Sequence, residues 1–399
     1  MRLRFRPTSA NPIAIDLGYS TTKLLQVGDG CIEAADEIPV PLEAGKDTTA
    51  RLEAIGDRLP QVLAEGPFRG RRVIVAMPAF NTVLQAMQLD AAEASDEALA
   101  MQMRLPVTTD PYMVRSIDVP AAGGGRREVI CQAMPRSLVL RHVELLHQLK
   151  LDVVGVLAQP RPIVAAFDHI NRRTADADQC TMYVDLGFSG TTAVMAHGHD
   201  IVLARSIPIG GQHFDQRIAE VLECDEPGAR RHRLSVKSPK LAAPPEVPAT
   251  GIPMLDAAGL DQDATETILA VERRDGQPPP SLGPTIDGAP LVADRVDLSE
   301  LIETLVDDLR LCLRHHAATW PKVEVSRVIF TGGEARQEWL CRQVVQSLHL
   351  PGQVGDPLAR LDCAEGASPL VDWMNRARPD WSVAAGLASV ACGGTRNVA

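Results

Sequence analysis

Apolar and polar positions change period along this chain, and the changes mark out elements. Two stretches read almost alike: Ile13-Ala14-Ile15-Asp16-Leu17-Gly18-Tyr19-Ser20 and Met182-Tyr183-Val184-Asp185-Leu186-Gly187-Phe188-Ser189. Each is an apolar strand that runs into Asp-Leu-Gly, an aromatic residue and Ser. A threonine pair follows in each, Thr21-Thr22 and Thr191-Thr192, and then a second apolar strand over 23–27 and 193–196. A third strand closes each unit at Ile38-Pro39-Val40 and Ile207-Pro208-Ile209. The chain therefore writes strand, turn, strand, turn, strand twice, about 170 residues apart, which predicts two related lobes facing each other.

The intervening segments carry their own periods. Residues 49–63, 93–103 and 137–149 have helical spacing, the last with Val139, Val143 and Leu146 on one face. Residues 72–77, 83–89, 112–119, 128–133 and 151–157 read as strands, with Gly123-Gly124-Gly125 as a hairpin turn. Residues 80–157 thus form an α+β insert within the first lobe. A connecting helix is expected over 160–170, and another over 214–222 after Gly210-Gly211. Roughly a third of the prolines fall between 237 and 290, so 225–292 reads as a flexible insertion with one helical stretch at 264–274. Asp297 then reads as an N-cap with Glu300 completing a capping box, ahead of an apolar stripe from Leu298 to Leu313. A strand at 328–330, the turn Thr331-Gly332-Gly333-Glu334-Ala335, a helix over 337–348 and a small-residue helix over 382–391 complete the chain. The expected division is 1–79 and 80–157 for the first lobe and its insert, 158–180 for the connecting helix, 181–224 for the second hairpin unit, 225–292 for the insertion, and 293–399 for the rest of the second lobe with a helix returning to the first.

Composition narrows the class. The 399 residues are 45% hydrophobic and 23% charged, as in a soluble globular protein. A net charge of -11 argues against broad binding to nucleic acid phosphates. No apolar run reaches the roughly 18 residues that a membrane-spanning helix needs. Arg2, Arg4 and Arg6 are not followed by a hydrophobic signal core, so export is not expected. Eight cysteines occur with no C-x-x-C pair, which reads as reduced thiols in a cytosolic protein.

The repeated unit points to phosphate chemistry. An Asp at the end of a buried strand places a negative charge at a cleft mouth, and Gly18 or Gly187 permits close approach by a ligand. The small hydroxyl residues Ser20, Thr21, Ser189 and Thr191 leave backbone N–H groups exposed to cradle phosphate oxygens. Asp16 and Asp185 would repel phosphates unless a cation lay between, which implies Mg²⁺ held through water, and Lys23 adds a positive charge. Gly332 and Gly333, between a strand and a helix, suit close approach by a nucleoside. No P-loop or dinucleotide fingerprint is present. His197-Gly198-His199 lacks a third ligand nearby in sequence and reads as exposed turn histidines. His315-His316 reads as a favourable charge at a helix C-terminus, and Arg230-Arg231-His232-Arg233 as a solvated loop.

This ordered set resembles the actin-like ATPase superfamily, with its ribonuclease H-like lobes, and more closely the type IV pilus assembly protein PilM family. The insert after Pro78, the segment from Met134-Pro135-Arg136-Ser137 through Glu144-Leu145-Leu146, and Arg205-Ser206-Ile207-Pro208-Ile209-Gly210-Gly211-Gln212-His213-Phe214 carry that resemblance. It implies an α/β, two-lobed fold with an α+β subdomain inserted in the first lobe, and ATP with Mg²⁺ between the lobes. Asp16, Gly18, Ser20, Thr21 and Lys23 then match a first phosphate motif. Asp185, Gly187, Ser189, Gly190 and Thr191 match a second, and Gly332 and Gly333 an adenosine motif. The implied partner is the cytoplasmic N-terminal peptide of a PilN-like inner-membrane protein, with self-association, no nucleic acid and only indirect membrane contact. The implied place is the cytoplasmic face of the bacterial inner membrane. Two positions depart from the family pattern. Gln159-Pro160 stands where relatives carry an acidic residue before proline, which puts hydrolysis in question, and residues 102–108 interrupt a usually fuller helix in the insert. The alternatives are a small-molecule kinase of the same superfamily and an FtsA-like cell-division adaptor. The kinase would need a carboxylate base that Gln159 does not offer, and the tail after Ala391 is not the amphipathic helix such adaptors end in.

Overall fold

The computed structural model describes residues 10–44, 47–89, 95–120, 127–170, 179–235, 296–363 and 376–393. In the first lobe, β1 (Ile13–Leu17), β2 (Thr21–Gly28) and β3 (Cys31–Pro39) form an antiparallel meander. Next, β4 (Arg72–Ala76) joins β1 in parallel. The inserted subdomain follows: β5 (Val83–Leu89), α2 (Asp96–Gln102), β6 (Tyr112–Asp118), β7 (Arg127–Pro135) and α3 (Arg136–Gln148), its strands ordered β5-β7-β6. The chain then returns through β8 (Asp152–Leu157), parallel to β4. The second lobe repeats the plan with β9 (Cys180–Leu186), β10 (Thr191–His197), β11 (Asp200–Ile207), β12 (Val325–Thr331) and β13 (Gly352–Val354). Its order, β11-β10-β9-β12-β13, matches β3-β2-β1-β4-β8 strand for strand, with a short β14 (Asp362–Cys363) added outside β3. These are the two related lobes that the repeat predicts.

The duplication extends to register. Asp16 faces Lys23 and Leu17 faces Thr22 in one hairpin, while Asp185 faces Thr192 and Leu186 faces Thr191 in the other. Thr22 is therefore the counterpart of Thr191, and Lys23 that of Thr192. The threonine pairs matched by sequence are one residue out of step, because both turns have the same length and Gly190 takes the place of Thr21.

The first sheet has two apolar faces. Ile13, Ile15 and Leu17 look toward α1 (Thr48–Glu65), whose Ile55, Leu59 and Val62 pack with Leu146 of α3 in a separate small core. Ala14 and Leu25 look the other way, into the main core shared by both lobes. There α4 (Pro160–Ala165) and α9 (Ser382–Gly393) cross. A Cβ on Gly386 would overlap the carbonyl oxygen of Pro162, so the two helix backbones meet with no side chain between them.

Several boundaries differ from the sequence reading. The first turn of α2 forms only after Ser95, whose hydroxyl accepts the Ala98 N–H at 3.2 Å. The connecting helix stops at Ala165, and a 3₁₀ turn follows at Asp168–Ile170. After α5 (Gly211–Leu222), residues read as the start of a flexible insertion form α6 (Glu226–Ser235), packed on α5. The Arg230–Arg233 run is thus helical, not a solvated loop. Its last member is 1% exposed because two carboxylates face it. The long α7 (Ser299–Thr319) and α8 (Glu338–Leu348) cover the second sheet. The expected helix at 264–274 and the Gly123-Gly124-Gly125 turn lie outside the described residues.

Candidate nucleotide cleft

The cleft is built from the ends of β1 and β9 and the turns after them. Asp16, Lys23 and Glu37 form one row across β1, β2 and β3. Lys23 is buried and lies within electrostatic reach of Asp16, Asp185 and Asp380. Burial pushes the Asp16 carboxyl up to about 6; Lys23 opposes that rise, and the charges of Asp185 and Asp380 add to it. Burial also raises Asp185, against the Thr331 hydroxyl at 2.8 Å, the Lys23 charge and the Ser382 hydroxyl at 3.4 Å. Asp380 differs. Burial alone would raise it, but Lys23, Arg378 and Arg336 outweigh that and hold it below the ordinary value. Asp380 has two guanidinium partners, whereas Asp16 and Asp185 share one ammonium. That pair of under-compensated hard oxygen donors fits a divalent cation such as Mg²⁺.

The turns hold their shape through close backbone packing. A Cβ on Gly18 would lie 2.5 Å from the Thr21 carbonyl oxygen, and one on Gly187 would lie 2.7 Å from that of Gly190. Arg51 of α1 donates to the Gly18 carbonyl at 2.7 Å. At the second turn, the first N–H groups of α5 donate to the turn, Gly211 to Gly187 at 3.1 Å and Gln212 to Phe188 at 2.8 Å. The turns also carry aromatic rings. Tyr19 packs on Phe188 at 5.3 Å and on Phe80 of the insert at 5.1 Å. The Arg51 guanidinium lies 4.8 Å from both Tyr19 and Phe80, and Arg230 of α6 lies 4.7 Å from Phe188. Five basic or aromatic side chains thus surround the line where the turns meet.

The Gly-Gly turn divides its work. Gly332 has φ +87°, donates to the Pro379 carbonyl at 2.8 Å, and leaves no room for a Cβ against Leu186. Among the described residues, a Cβ on Gly333 would meet nothing within 4 Å, so open space lies there. Next to it, Glu334 pairs with Arg233, which also holds Asp215 at 2.6 Å, so α5, α6 and the turn are tied by one buried ion group. Gln159 follows β8, whose Leu157 is level with Ala76 and Asp16 across three strands. Strand spacing puts Leu157 about 10 Å from Asp16 across the sheet, and Gln159 lies two residues beyond Leu157. Gln159 is 8% exposed, and its side-chain oxygen has no partner among the described residues.

The structure thus places Asp16, Gly18, Ser20, Thr21, Lys23, Asp185, Gly187, Ser189, Gly190, Thr191, Gly332, Gly333 and Gln159 around the ends of adjoining strands. Thr191 turns inward, its hydroxyl donating to the Ile209 carbonyl at 2.7 Å. The sequence reading missed Glu37, Arg378 and Asp380. Arg378 bridges Glu37 at 2.7 Å and Asp380 at 3.1 Å, and Arg336 meets Asp380 at 2.8 Å. Nothing local marks these residues, because the Arg378–Glu37 contact spans 341 positions. The paired histidines also part company. His199 bonds Asp168 at 3.1 Å, whereas His197 meets His316 at 2.8 Å. His316 is 1% exposed and pushed down to about 4, by burial first and then by His197 and His315, so it brings no charge to the helix end.

Comparison with known proteins agrees with this fold. The family described as type IV pilus assembly protein PilM matches residues 14–241, more than half of the chain. The solved PilM-PilN type IV pilus biogenesis complex shares the fold, with a TM-score of 0.68 and 15% identity over 96% of this chain and 98% of that one. MreB 5 of Spiroplasma citri, solved bound to AMPPNP, is more distant, with a TM-score of 0.47 and 13% identity over 98% of this chain and 99% of its own. No curated protein matches in sequence. With the family match spanning the first turn, the insert, the second turn and α6, the chain belongs to the type IV pilus assembly protein PilM family.

Proposed function

We propose that the protein is an ATP-binding scaffold of a type IV pilus or related secretion machine, working at the cytoplasmic face of the inner membrane. Its partner in this reading is the cytoplasmic N-terminal peptide of a PilN-like inner-membrane protein. The observation that carries the nucleotide part is the buried pair Asp16 and Asp185, for which Lys23 is the balancing cation among the described residues. Asp16 and Asp185 would hold Mg²⁺ through water, and the ion would neutralise phosphate charge between the two turns. Ser20, Thr21, Ser189 and Gly190 would offer backbone N–H groups to the phosphates, and Gly333 would face the nucleoside. Gln159 can position a water but cannot take its proton, so hydrolysis is slow or absent.

The partner part rests on the family and on a surface. Among the described residues no helix is long and apolar enough to cross a membrane, so an attachment through a partner suits the chain. Leu140 of α3 and Val154 and Val156 of β8 are exposed where the insert meets the first lobe. β8 is the outermost strand of its sheet there. An apolar outer strand of this kind accepts an extended peptide by strand addition. Calorimetric titration with Mg²⁺–ATP, and then with the partner peptide with and without ATP, tests both parts. A coupling of about 1–3 kcal/mol would change peptide affinity roughly 5–150-fold. Absence of ATP binding would remove the nucleotide part, and absence of peptide binding the scaffold part.

A further inference from the structure

At the opposite end of β9 from Asp185, three metal-binding side chains converge. Cys180 is the first residue of β9 and His197 the last of β10, and the antiparallel register sets them directly opposite each other. His316 enters from the last turns of α7. The Cys180 Sγ and one ring nitrogen from each histidine all lie within 4.8 Å of one another, and the two Nε2 atoms are 2.8 Å apart. Cys180 and His316 are buried and His197 is half-buried. Trp320 stacks on His316 at 5.4 Å and meets His197 edge-on at 5.3 Å, which fixes both rings.

We propose that Cys180, His197 and His316 form a binding site for a thiophilic divalent transition metal of the Zn²⁺ class, with a fourth position open to water or another small ligand. One thiolate and two neutral imidazoles are a donor set that such ions favour over hard cations. A tetrahedral ion with these ligands needs S···N separations of about 3.6 Å and an N···N separation of about 3.3 Å. The Nε2 atoms must therefore part by only about half an ångström from their present 2.8 Å contact. Binding releases one proton to solvent, from the Cys180 thiol, and involves no change of oxidation state. The five residues from Cys180 to Asp185 put this site about 16 Å from the cleft carboxylates. It would fasten the end of α7 to the β9–β10 hairpin independently of nucleotide.

The test is direct metal titration of the full chain. Zn²⁺ is titrated against a chromophoric chelator, and Co²⁺ serves as a spectroscopic probe for thiolate ligation. His197→Asn is the main variant because His197 is half-buried and its replacement leaves the core intact; Cys180→Ser is the second. The expected result is one tight equivalent of Zn²⁺, a Co²⁺–thiolate charge-transfer band, and a thermal midpoint raised by Zn²⁺. His197→Asn then weakens binding roughly a hundredfold, and Cys180→Ser abolishes the band. Equal Zn²⁺ affinity in the wild type and His197→Asn, or a wild-type Co²⁺ spectrum without thiolate charge transfer, overturns the proposal and leaves a neutral histidine pair sharing a hydrogen bond.

Discussion

The ring of Tyr19 lies 5.3 Å from the ring of Phe188, so the two phosphate-type turns touch through their aromatic side chains. Each ring is backed by a guanidinium, Arg51 on one side and Arg230 on the other. In the proposed reading, phosphates would enter between these turns, and the ring contact would have to open for binding. Tyr19→Ala and Phe188→Ala are therefore expected to speed Mg²⁺–ATP association in stopped-flow measurements. A double-mutant cycle on stability should return about 0.5–1.5 kcal/mol for the pair. Unchanged association rates in both variants would show that the rings do not gate the cleft.

Asp16 sets a pH dependence. Its folded value of about 6 lies above the ordinary 3.8, so the folded protein holds the proton more tightly than the unfolded chain does. Stability without ligand from this group therefore falls as pH rises from about 4 to about 6 and stays low above that window. Asp16→Asn is expected to raise the unfolding free energy at neutral pH by an amount on the order of 1–3 kcal/mol, while abolishing Mg²⁺–ATP binding. In the wild type, nucleotide affinity should drop as pH falls below 6. A variant less stable than wild type at pH 7 would contradict this assignment.

Arg233 is the central cation of a buried group with Asp215 and Glu334. Arg233→Ala leaves two carboxylates without their partner, which costs about 3–5 kcal/mol. Urea denaturation reads the loss directly, and the Gly-Gly turn should become more protease-sensitive.

Gln159 supplies the sharpest chemical prediction. Its oxygen is buried with no partner among the described residues, and the resemblance to the family implies an acid at this position for activating water. Gln159→Glu is expected to raise ATP turnover by on the order of tenfold to a hundredfold with little change in ATP affinity. A variant that binds ATP but turns it over no faster would mean that another part of the cleft limits hydrolysis.

The repeated hairpins were legible because strand, turn and strand are local features whose period and turn chemistry read directly. The one-residue error between the threonine pairs shows the limit, because register comes from pairing and not from matching letters. α6 was missed for a related reason: Arg230, Arg231, His232 and Arg233 look solvated until Asp215 and Glu334 are placed beside the last of them. The Glu37–Arg378–Asp380 bridge and the Cys180–His197–His316 cluster were illegible for the same cause. Their members have no local pattern, and only the closing of two sheets and a long helix brings them together.

The contact of Gly386 with Pro162 has a mechanical consequence. Helices separated by side chains can slide past each other by small steps, because interdigitated side chains can repack. Here the backbones of α4 and α9 touch, and a lateral shift would drive one main chain into the other. The lobes are left with rotation about that point, like the blades of scissors about a rivet. Movement at the nucleotide end would then reappear, reversed in sense, on the far side of the crossing.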